Sequence, residues 1–426
     1  MINLTLSIGM IVKNESRHLK NCLTALKPLM NAVKSELIIA DTGSVDDTLK
    51  IAKEFANKTM EIPWNNDFSE ARNHTLRAAK GEWFMFIDAD EYLEDSADLI
   101  KFFTSGQYKK YHGATYQVRN YLSDGISFNS PLVLRLCKIT KDIRFDGYVH
   151  ESLTIQGPIC DLNSHARHHG YTDAADPDIF NRKHKRNLPL LHKAHDENPN
   201  DLNILKLLAK SYNSLGEPKK AKEYIDKGMS LALADSTHEM FPAFYRLLVE
   251  YNMKLATDES RRAALSVISE FFSRRQKLSV SAIDMYADKG ECHFNLKEYK
   301  EAAEAFDKSY ELIKQYLSGK LDAAEIHAVG TINSNESGLW MMAELAYESY
   351  VKLGDFITAL ERLALSSTSE SVKEFVSHAK KALEYNRQND KTAAMKQVKA
   401  AIKADSRYTR VIMSAIKMNP TSPAPS

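Results

Sequence analysis

A chain of 426 residues exceeds the usual size of a single domain, so two domains are expected, each large enough for its own core. With 43% hydrophobic residues, 27% charged residues and a formal net charge of +1, the composition is that of an ordinary globular protein, which excludes one built as a whole to bind nucleic acid or another polyanion. Cys22, Cys137, Cys160 and Cys292 lie far apart with no CxxC pair, fitting neither a zinc knuckle nor a disulfide framework, so reduced and mostly buried thiols are expected.

The apolar start LTLSIGMIV (4–12) is too short and too poorly flanked for a signal peptide, and no run approaches the roughly 18 residues of a membrane span. A cytoplasmic location without a membrane span is the resulting expectation. LTLSIGMIV itself reads as a strand, 16–29 as an amphipathic helix, ELIIAD (36–41) as a strand and 45–55 as a helix. A short strand at 59–62, a helix over 69–79 and the strand WFMFID (83–88) follow. Apolar strands of about five residues separated by helices of about 10 to 15 indicate βαβ units around a parallel sheet covered on both faces. Ligands of such sheets bind beyond the carboxyl ends of the strands. The loops KNES (13–16), DTGSVDD (41–47) and DADE (88–91) leave those ends and should converge on one site.

From 114 to 168 short strands such as ATYQVRN and LVLRLCK, with turns at Ser123-Asp124-Gly125 and Gly157-Pro158, suggest a mixed edge of the same sheet. Beyond 178 the strand signals stop. The expected domains are therefore 1–177 (α/β, Rossmann-like) and 178–418 (all-α helical repeats), with 419–426, NPTSPAPS, too polar and proline-rich to fold. Four helix hairpins superpose on a turn residue, a second position two later, Ala five later and an apolar residue nine later. They are Gly216, Pro218, Ala221, Ile225; Lys297, Tyr299, Ala302, Phe306; Gly354, Phe356, Ala359, Leu363; and Asn389, Lys391, Ala394, Val398. The last two turns are about 35 residues apart, close to the tetratricopeptide period. The stretch 236–275 is helical in period without the turn signature, and reads as a degenerate repeat.

Asp88 and Asp90 flank one small residue and, in extended backbone, point to the same side. Two carboxylates so close repel unless a hard cation or a hydroxyl-rich ligand lies between them, and Mg²⁺ or Mn²⁺ that also holds a diphosphate would resolve the conflict. The bland alternative makes DADEYLEDSAD an acidic first turn of the next helix, a role expected for Glu91, Glu94, Asp95 and Asp98. Asn14 and Glu15 are candidates to read a base edge or ribose, with a helix cap at Asn14 or Ser16 as the alternative. Asp41 is suited to accept from a pyrimidine N–H, or to form an Asx turn. Asp67 and Arg72 in NNDFSEARN stand near a helix start, Arg72 placed to pair with phosphate or to hold the Asp88 and Asp90 carboxylates.

The segments VKNES, DTGSVDDT, NDFSEARN, FIDADE, GYVHE and HHGY, followed by helical repeats, resemble glycosyltransferase family 2, and within it the bacterial peptide S-glycosyltransferases of glycocin biosynthesis. The likeness covers the chain through about 175 and, more loosely, the repeats. It implies a GT-A fold with a DxD motif. By this likeness Val12, Asn14, Glu15, Asp41, Ser44, Asp67, Arg72, Asp88 and Ala89 bind a UDP-sugar. Asp90 and His168 hold Mg²⁺ or Mn²⁺, His168 being preferred to His169. Glu151 in GYVHE is the base of an inverting transfer, with His150 beside it as its hydrogen-bond partner or as the alternative base, and Arg72 neutralises the departing diphosphate. The implied acceptor is a Cys, Ser or Thr side chain of a peptide or protein, with the repeats holding the acceptor or joining two copies in a homodimer. A lipid or polysaccharide acceptor is the alternative within the enzyme class, and a repeat scaffold with a degenerate sugar-nucleotide domain the alternative outside it. The basic run RKHKR (182–186) reads as a solvated helix face, with assistance to phosphate or to an acidic acceptor as its functional alternative.

Overall fold

The computed structural model describes residues 4–121, 128–169, 178–233, 240–275, 278–321 and 336–417. The expected turn at Ser123-Asp124-Gly125, Gly170 and Tyr171 of HHGY, and the tail 419–426 lie outside the described residues. The chain divides into two compact units, 1–216 and 217–426.

In the first unit, β1 (Leu6–Val12) is followed by α1 (Leu19–Ala25) and α2 (Lys27–Ala32), then β2 (Ser35–Asp41), α3 (Thr48–Phe55), β3 (Lys58–Glu61), α4 (Phe68–Ala78) and β4 (Trp83–Phe86). The single helix expected over 16–29 is two. Pro28 stands in the first turn of α2, where its missing N–H costs nothing, whereas inside one continuous helix it would break the hydrogen-bond ladder. α3 starts later than expected because the Asp46 carboxylate accepts from the Thr48 and Ser16 N–H groups, holding 45–47 in the loop.

β5 (Glu91–Asp95), α5 (Ala97–Thr104), β6 (Gly113–Tyr121), β7 (Phe128–Asn129), β8 (Leu132–Lys138), β9 (Phe145–Asp146), β10 (Ser152–Leu153) and β11 (Ile159–His168) follow, then α6 (Asp178–Glu197) and α7 (Leu202–Ser214). Among the described residues the main sheet runs β3-β2-β1-β4-β8-β6-β11-β5, with β7 paired to β6. β1 is parallel to β2 and β4, in registers running from Leu6↔Ser35 to Val12↔Asp41 and from Leu6↔Trp83 to Gly9↔Phe86. The carboxyl ends of β1, β2 and β4 are therefore neighbours. β8 joins antiparallel to both β4 and β6, so the mixed strands extend the sheet beyond β4 towards one edge, where β5 is the outermost strand.

The acidic segment after β4 also departs from expectation. Glu91, Glu94 and Asp95 belong to strand β5, antiparallel to β11, and only Asp98 lies in the first turn of a helix. Glu91 is not a helix-start charge: it is 1% exposed, and its Oε1 accepts from Arg135 of β8, itself 7% exposed. A carboxylate in that position needs a cation, and the strand LVLRLCK supplies one from within an apolar run.

The second unit contains α8 (Pro218–Ala232), α9 (Phe241–Lys254), α10 (Asp258–Arg274), α11 (Ser281–Asn295), α12 (Tyr299–Leu317), α13 (Glu336–Leu353), α14 (Phe356–Leu365), α15 (Glu370–Arg387), α16 (Lys391–Ala404) and α17 (Thr409–Lys417). The four aligned turn residues, Gly216, Lys297, Gly354 and Asn389, all take positive φ, at 73°, 63°, 86° and 63°. That is the left-handed residue ending a helix, and the second aligned position opens the next one. Ala221, Ala302, Ala359 and Ala394, and Ile225, Phe306, Leu363 and Val398, are all buried, as a close helix–helix seam requires. The segment without the signature forms the pair α9–α10 around Ala256, at φ 56°, so the geometry of the turn persists without its glycine. Among the described residues no helix is long and apolar enough to cross a membrane.

Two consequences for stability are open to measurement. On α9, Arg246 Nη1 lies 2.5 Å from Asp284 Oδ2 of α11, and one turn on, Asp288 Oδ2 is shut from water without a hydrogen-bond partner. Burial, aided by the Asp284, Glu250 and Glu291 carboxylates and opposed by Arg246, pushes the Asp288 carboxyl from 3.8 up to about 8. Between those values the folded chain keeps a proton that the unfolded chain has lost, so stability falls as pH rises from about 4 to about 8. Urea unfolding of Asp288→Asn across this range is expected to show a shallower fall than the unaltered chain; identical slopes would contradict the assignment. In the first unit, Arg135→Ala leaves Glu91 buried without its cation and is expected to cost about 3 kcal/mol. A shift below about 0.5 kcal/mol in denaturant unfolding, the range of an ordinary surface change, would show that the pair does not hold the sheet.

Candidate active site

The first loop of the site joins β1 to the start of α3. Asn14, at φ 56°, donates its N–H to Ser44 Oγ (2.9 Å) and accepts the Val45 N–H on Oδ1 (2.8 Å). The Glu15 N–H bonds Thr48 Oγ1 (2.7 Å), and the Val12 carbonyl accepts from the Thr42 N–H (3.0 Å). KNES and DTGSVDD are thus laced into one cradle. Asp41, 3% exposed, accepts the Gly43 and Ser44 N–H groups on Oδ1, both at 2.7 Å, which is the Asx turn expected of it. Its Oδ2 is buried and has no partner. A buried, unpaired carboxylate oxygen is costly unless a donor reaches it, and the turn leaves this one available.

α4 positions the second group. Asp67 caps the helix, accepting the Glu70 N–H (2.9 Å), which leaves it a structural task within NNDFSEARN. Ser69 and Asn73 face the β9–β10 hairpin: Ser69 Oγ donates to the Gly147 carbonyl (2.6 Å), and Asn73 exchanges two 2.9 Å bonds with the Phe145 backbone. The hairpin loop is GYVHE itself, 147–151, turned by Gly147 (φ 99°) and His150 (φ 56°). His150 is exposed, and the turn directs the Glu151 side chain inward. On the same face of α4, Arg72 donates from Nε to Glu151 Oε1 (2.5 Å) and from Nη2 to Asp88 Oδ1 (2.7 Å). The carboxylates that Arg72 bridges are therefore Asp88 and Glu151, rather than Asp88 and Asp90. Its guanidinium carbon lies 5.0 Å from the Phe86 ring centroid, and its Nη1 is buried without a partner.

Asp88 also receives Arg135 Nη2 at 3.4 Å. Burial would raise its carboxyl, but Arg72 and Arg135 reverse the effect and hold it well below the usual carboxylate range. Glu15 has no such cation at hand. Burial and then Asp90, Asp88 and Asp46 push it up to about 7, with Arg186 opposing.

Asp90 turns away from the arginines toward β11. Its Oδ2 is 3.2 Å from His168 Nε2, and His168 Nδ1 is 2.6 Å from Asn120 Oδ1 of β6. An amide oxygen accepts only, so Nδ1 carries a proton and the Nε2 edge is the one offered to Asp90. With Nε2 unprotonated, two lone-pair groups would face each other, a conflict that a proton or a cation removes. Burial lowers the His168 pKa, yet the bond to and charge of Asp90 leave it raised. His169 spends its N–H on the Asp90 carbonyl (2.9 Å) and stacks its ring 4.1 Å from Tyr92. Ala89, 4% exposed, sits between the two aspartates.

Among the described residues no group of three or more His, Cys, Asp or Glu side chains is arranged to hold a metal. Asp90 and His168 supply an oxygen and a nitrogen. That short donor set fits an Mg²⁺ or Mn²⁺ ion that takes its remaining ligands from phosphate oxygens and water. Three participants escaped the sequence: Arg135, Glu91 and Asn120. An arginine inside an apolar strand signals a buried acid partner, whereas nothing in the sequence around Asn120 marks it.

Residues 7–143 match the family model described as Glycosyl transferase family 2, and residues 204–235 and 283–316 match the tetratricopeptide repeat model. The chain is similar to the SPbeta prophage-derived glycosyltransferase SunS of Bacillus subtilis (strain 168), at 27% identity over 230 residues, 53% of this chain and 53% of that protein. It is also similar to a TPR repeat-containing protein of Synechococcus elongatus, at 44% identity over 87 residues, 20% of this chain and 21% of that one. The match thus spans about half the length of these curated glycosyltransferase relatives. Among solved structures, S. aureus TarS 1-349 in complex with UDP aligns with a TM-score of 0.32 at 13% identity, over 64% of this chain and 89% of that one. Residues 7–143 thus match glycosyltransferase family 2 on a mixed α/β sheet, and helices that match the tetratricopeptide repeat follow them.

Proposed function

We propose that the chain is an inverting, metal-dependent glycosyltransferase that moves a sugar from a UDP-sugar to a Cys, Ser or Thr side chain of a peptide or protein. The observation that carries this reading is the meeting, beyond the carboxyl ends of β1, β2 and β4, of an unpaired Asp41 oxygen, the Asp90–His168 pair and the Arg72–Glu151 pair. Each suits a different part of one ligand. Asp41 Oδ2 accepts the uracil N–H, and the cradle of Asn14, Glu15 and Ser44 surrounds the nucleoside. Asp90 and His168 Nε2 hold the divalent ion, which when bound neutralises the diphosphate as it leaves.

Glu151 faces the acceptor side. Arg72 fixes its Oε1, so the carboxylate is oriented before the acceptor arrives. It takes the proton of the acceptor S–H or O–H as sulfur or oxygen bonds to the anomeric carbon from the face opposite the diphosphate. The bond from that carbon to the diphosphate oxygen breaks, its electron pair leaves with UDP, and the configuration inverts. Arg72 and Arg135 keep Asp88 ionised throughout. The repeats are assigned to holding the acceptor, or a second copy of the chain, along the extended surface such arrays present. The choice of a peptide acceptor is supported by the motif resemblance and by the likeness to SunS over half the chain.

Replacing Asp90 by Ala is expected to abolish Mn²⁺-dependent sugar transfer and UDP-sugar hydrolysis, assayed by UDP release; retained activity removes the metal assignment. Glu151→Gln keeps the shape and the Arg72 contact but not the basicity, and is expected to lower kcat by about 10²- to 10⁴-fold with little change in UDP affinity. An unchanged kcat on an alcohol acceptor would transfer the base role elsewhere.

A further inference from the structure

α6 lies beyond the residues that match the glycosyltransferase family model, and its basic run was expected to be a solvated face. Part of it is not directed to bulk solvent alone. Arg186, Lys193 and Glu197 follow each other at intervals of seven and four residues, so they share one side of the helix. That side meets the catalytic segments. The Arg186 guanidinium carbon stands 5.2 Å from the centroid of the Phe68 ring, at the first residue of α4. Lys193 Nζ lies 4.1 Å from the Tyr148 ring centroid, and the Tyr148 hydroxyl donates to Glu197. Phe68 and Tyr148 are themselves joined, the Phe68 N–H bonding the Tyr148 carbonyl at 3.0 Å. The helix is therefore registered on the Arg72 helix and on the hairpin that carries Glu151.

Stacking on Phe68 supports the flat face of the Arg186 guanidinium and leaves its edge for hydrogen bonding. Its Nε donates to Asn187 Oδ1 at 3.1 Å. Its charge is felt by Glu151, Glu15, Asp88 and Asp90, yet among the described residues none of these forms an ion pair with it. Arg72 and Arg135 differ in this respect, both being consumed by Asp88 and by Glu151 or Glu91. Arg186 is also open to solvent, as a group waiting for a ligand must be. A cation held on Phe68 within electrostatic reach of these acids, and paired to none of them, is matched to an anion that sits among them.

We propose that Arg186, from a helix outside the family match, binds an anionic oxygen of the diphosphate of the bound nucleotide and so closes the donor site. The inference rests on the donor reading above and adds to it a residue from the helical part of the chain. With planar donors at its edge, the guanidinium takes one or two phosphate oxygens and accepts charge as the diphosphate departs.

The test is calorimetry on the full chain with Mn²⁺, titrating UDP and, separately, uridine, for the unaltered protein and for Arg186→Ala, Arg186→Lys and Lys185→Ala. Lys185 lies on another side of α6 and serves as the control. The unaltered chain should bind UDP more tightly than uridine. Arg186→Ala should weaken UDP at least about tenfold and leave uridine unchanged, Arg186→Lys should fall between, and Lys185→Ala should match the unaltered chain. UDP affinity unaffected by Arg186→Ala, or UDP and uridine weakened equally, overturns the role of Arg186 and leaves the donor reading standing. Failure of the unaltered chain to bind either ligand overturns both.

Discussion

One buried guanidinium holds the candidate site together. Arg72 takes a carboxylate from the end of the central strand with one arm and a carboxylate from the β9–β10 hairpin with the other, at 2.7 and 2.5 Å. The two acids come from segments far apart in the chain, which meet through Phe86 and Phe145 as well as through this arginine. Asp88 leaves β4, the strand beside β1, while Glu151 ends a loop of five residues. A helix in between, α4, supplies the connection. Its Asp67 caps the first turn, its Ser69 and Asn73 hold the hairpin backbone, and Arg72, on the same side, reaches both acids. The spacing 69, 72, 73 is i, i+3, i+4 on a helix, so NDFSEARN is a single device for docking one loop against one strand end.

Around that clamp the carboxylates are sorted by their partners. Asp88 is surrounded by arginine and stays charged. Glu91 is buried beside Arg135 and supports the floor. Asp90 has a histidine whose far nitrogen is committed to Asn120, and Glu15 is pushed up to about 7 by burial and by the neighbouring Asp90, Asp88 and Asp46. Three adjacent positions of one sequence run, 88, 90 and 91, thereby acquire different electrostatic fates through contacts with β8, β6, β11 and α4. The same principle explains why acidic groups can crowd the end of a buried strand: each is neutralised locally, or waits for a ligand that neutralises it.

Much of this was legible in the sequence, for identifiable reasons. Continuous apolar runs marked β1, β2 and β4, and their shared polar exits located the site, because strands buried on both faces leave only their ends for chemistry. The four turn residues at 216, 297, 354 and 389 were recognisable from the spacing of small and apolar positions, and each proves to be left-handed. Long-range pairing was less legible. Glu91 lies in an acidic run that suits a helix start, and only its pairing with β11 and its burial against Arg135, 44 positions away, mark it as a strand residue. Asn120 acts on His168 across neighbouring strands, a relation fixed by register that no local pattern records. Pro28 divided a helix whose apolar period was otherwise continuous.

On the proposed reading these strand ends form one donor site, with a metal at Asp90 and His168 and the nucleoside at Asp41. The most direct measurement is anomalous diffraction from crystals of the chain grown with Mn²⁺ and UDP. The account predicts one anomalous peak within coordination distance of Asp90 and His168 Nε2, with the uracil N–H on Asp41 Oδ2. UDP bound with no peak at that pair, or with its uracil away from Asp41, would contradict it.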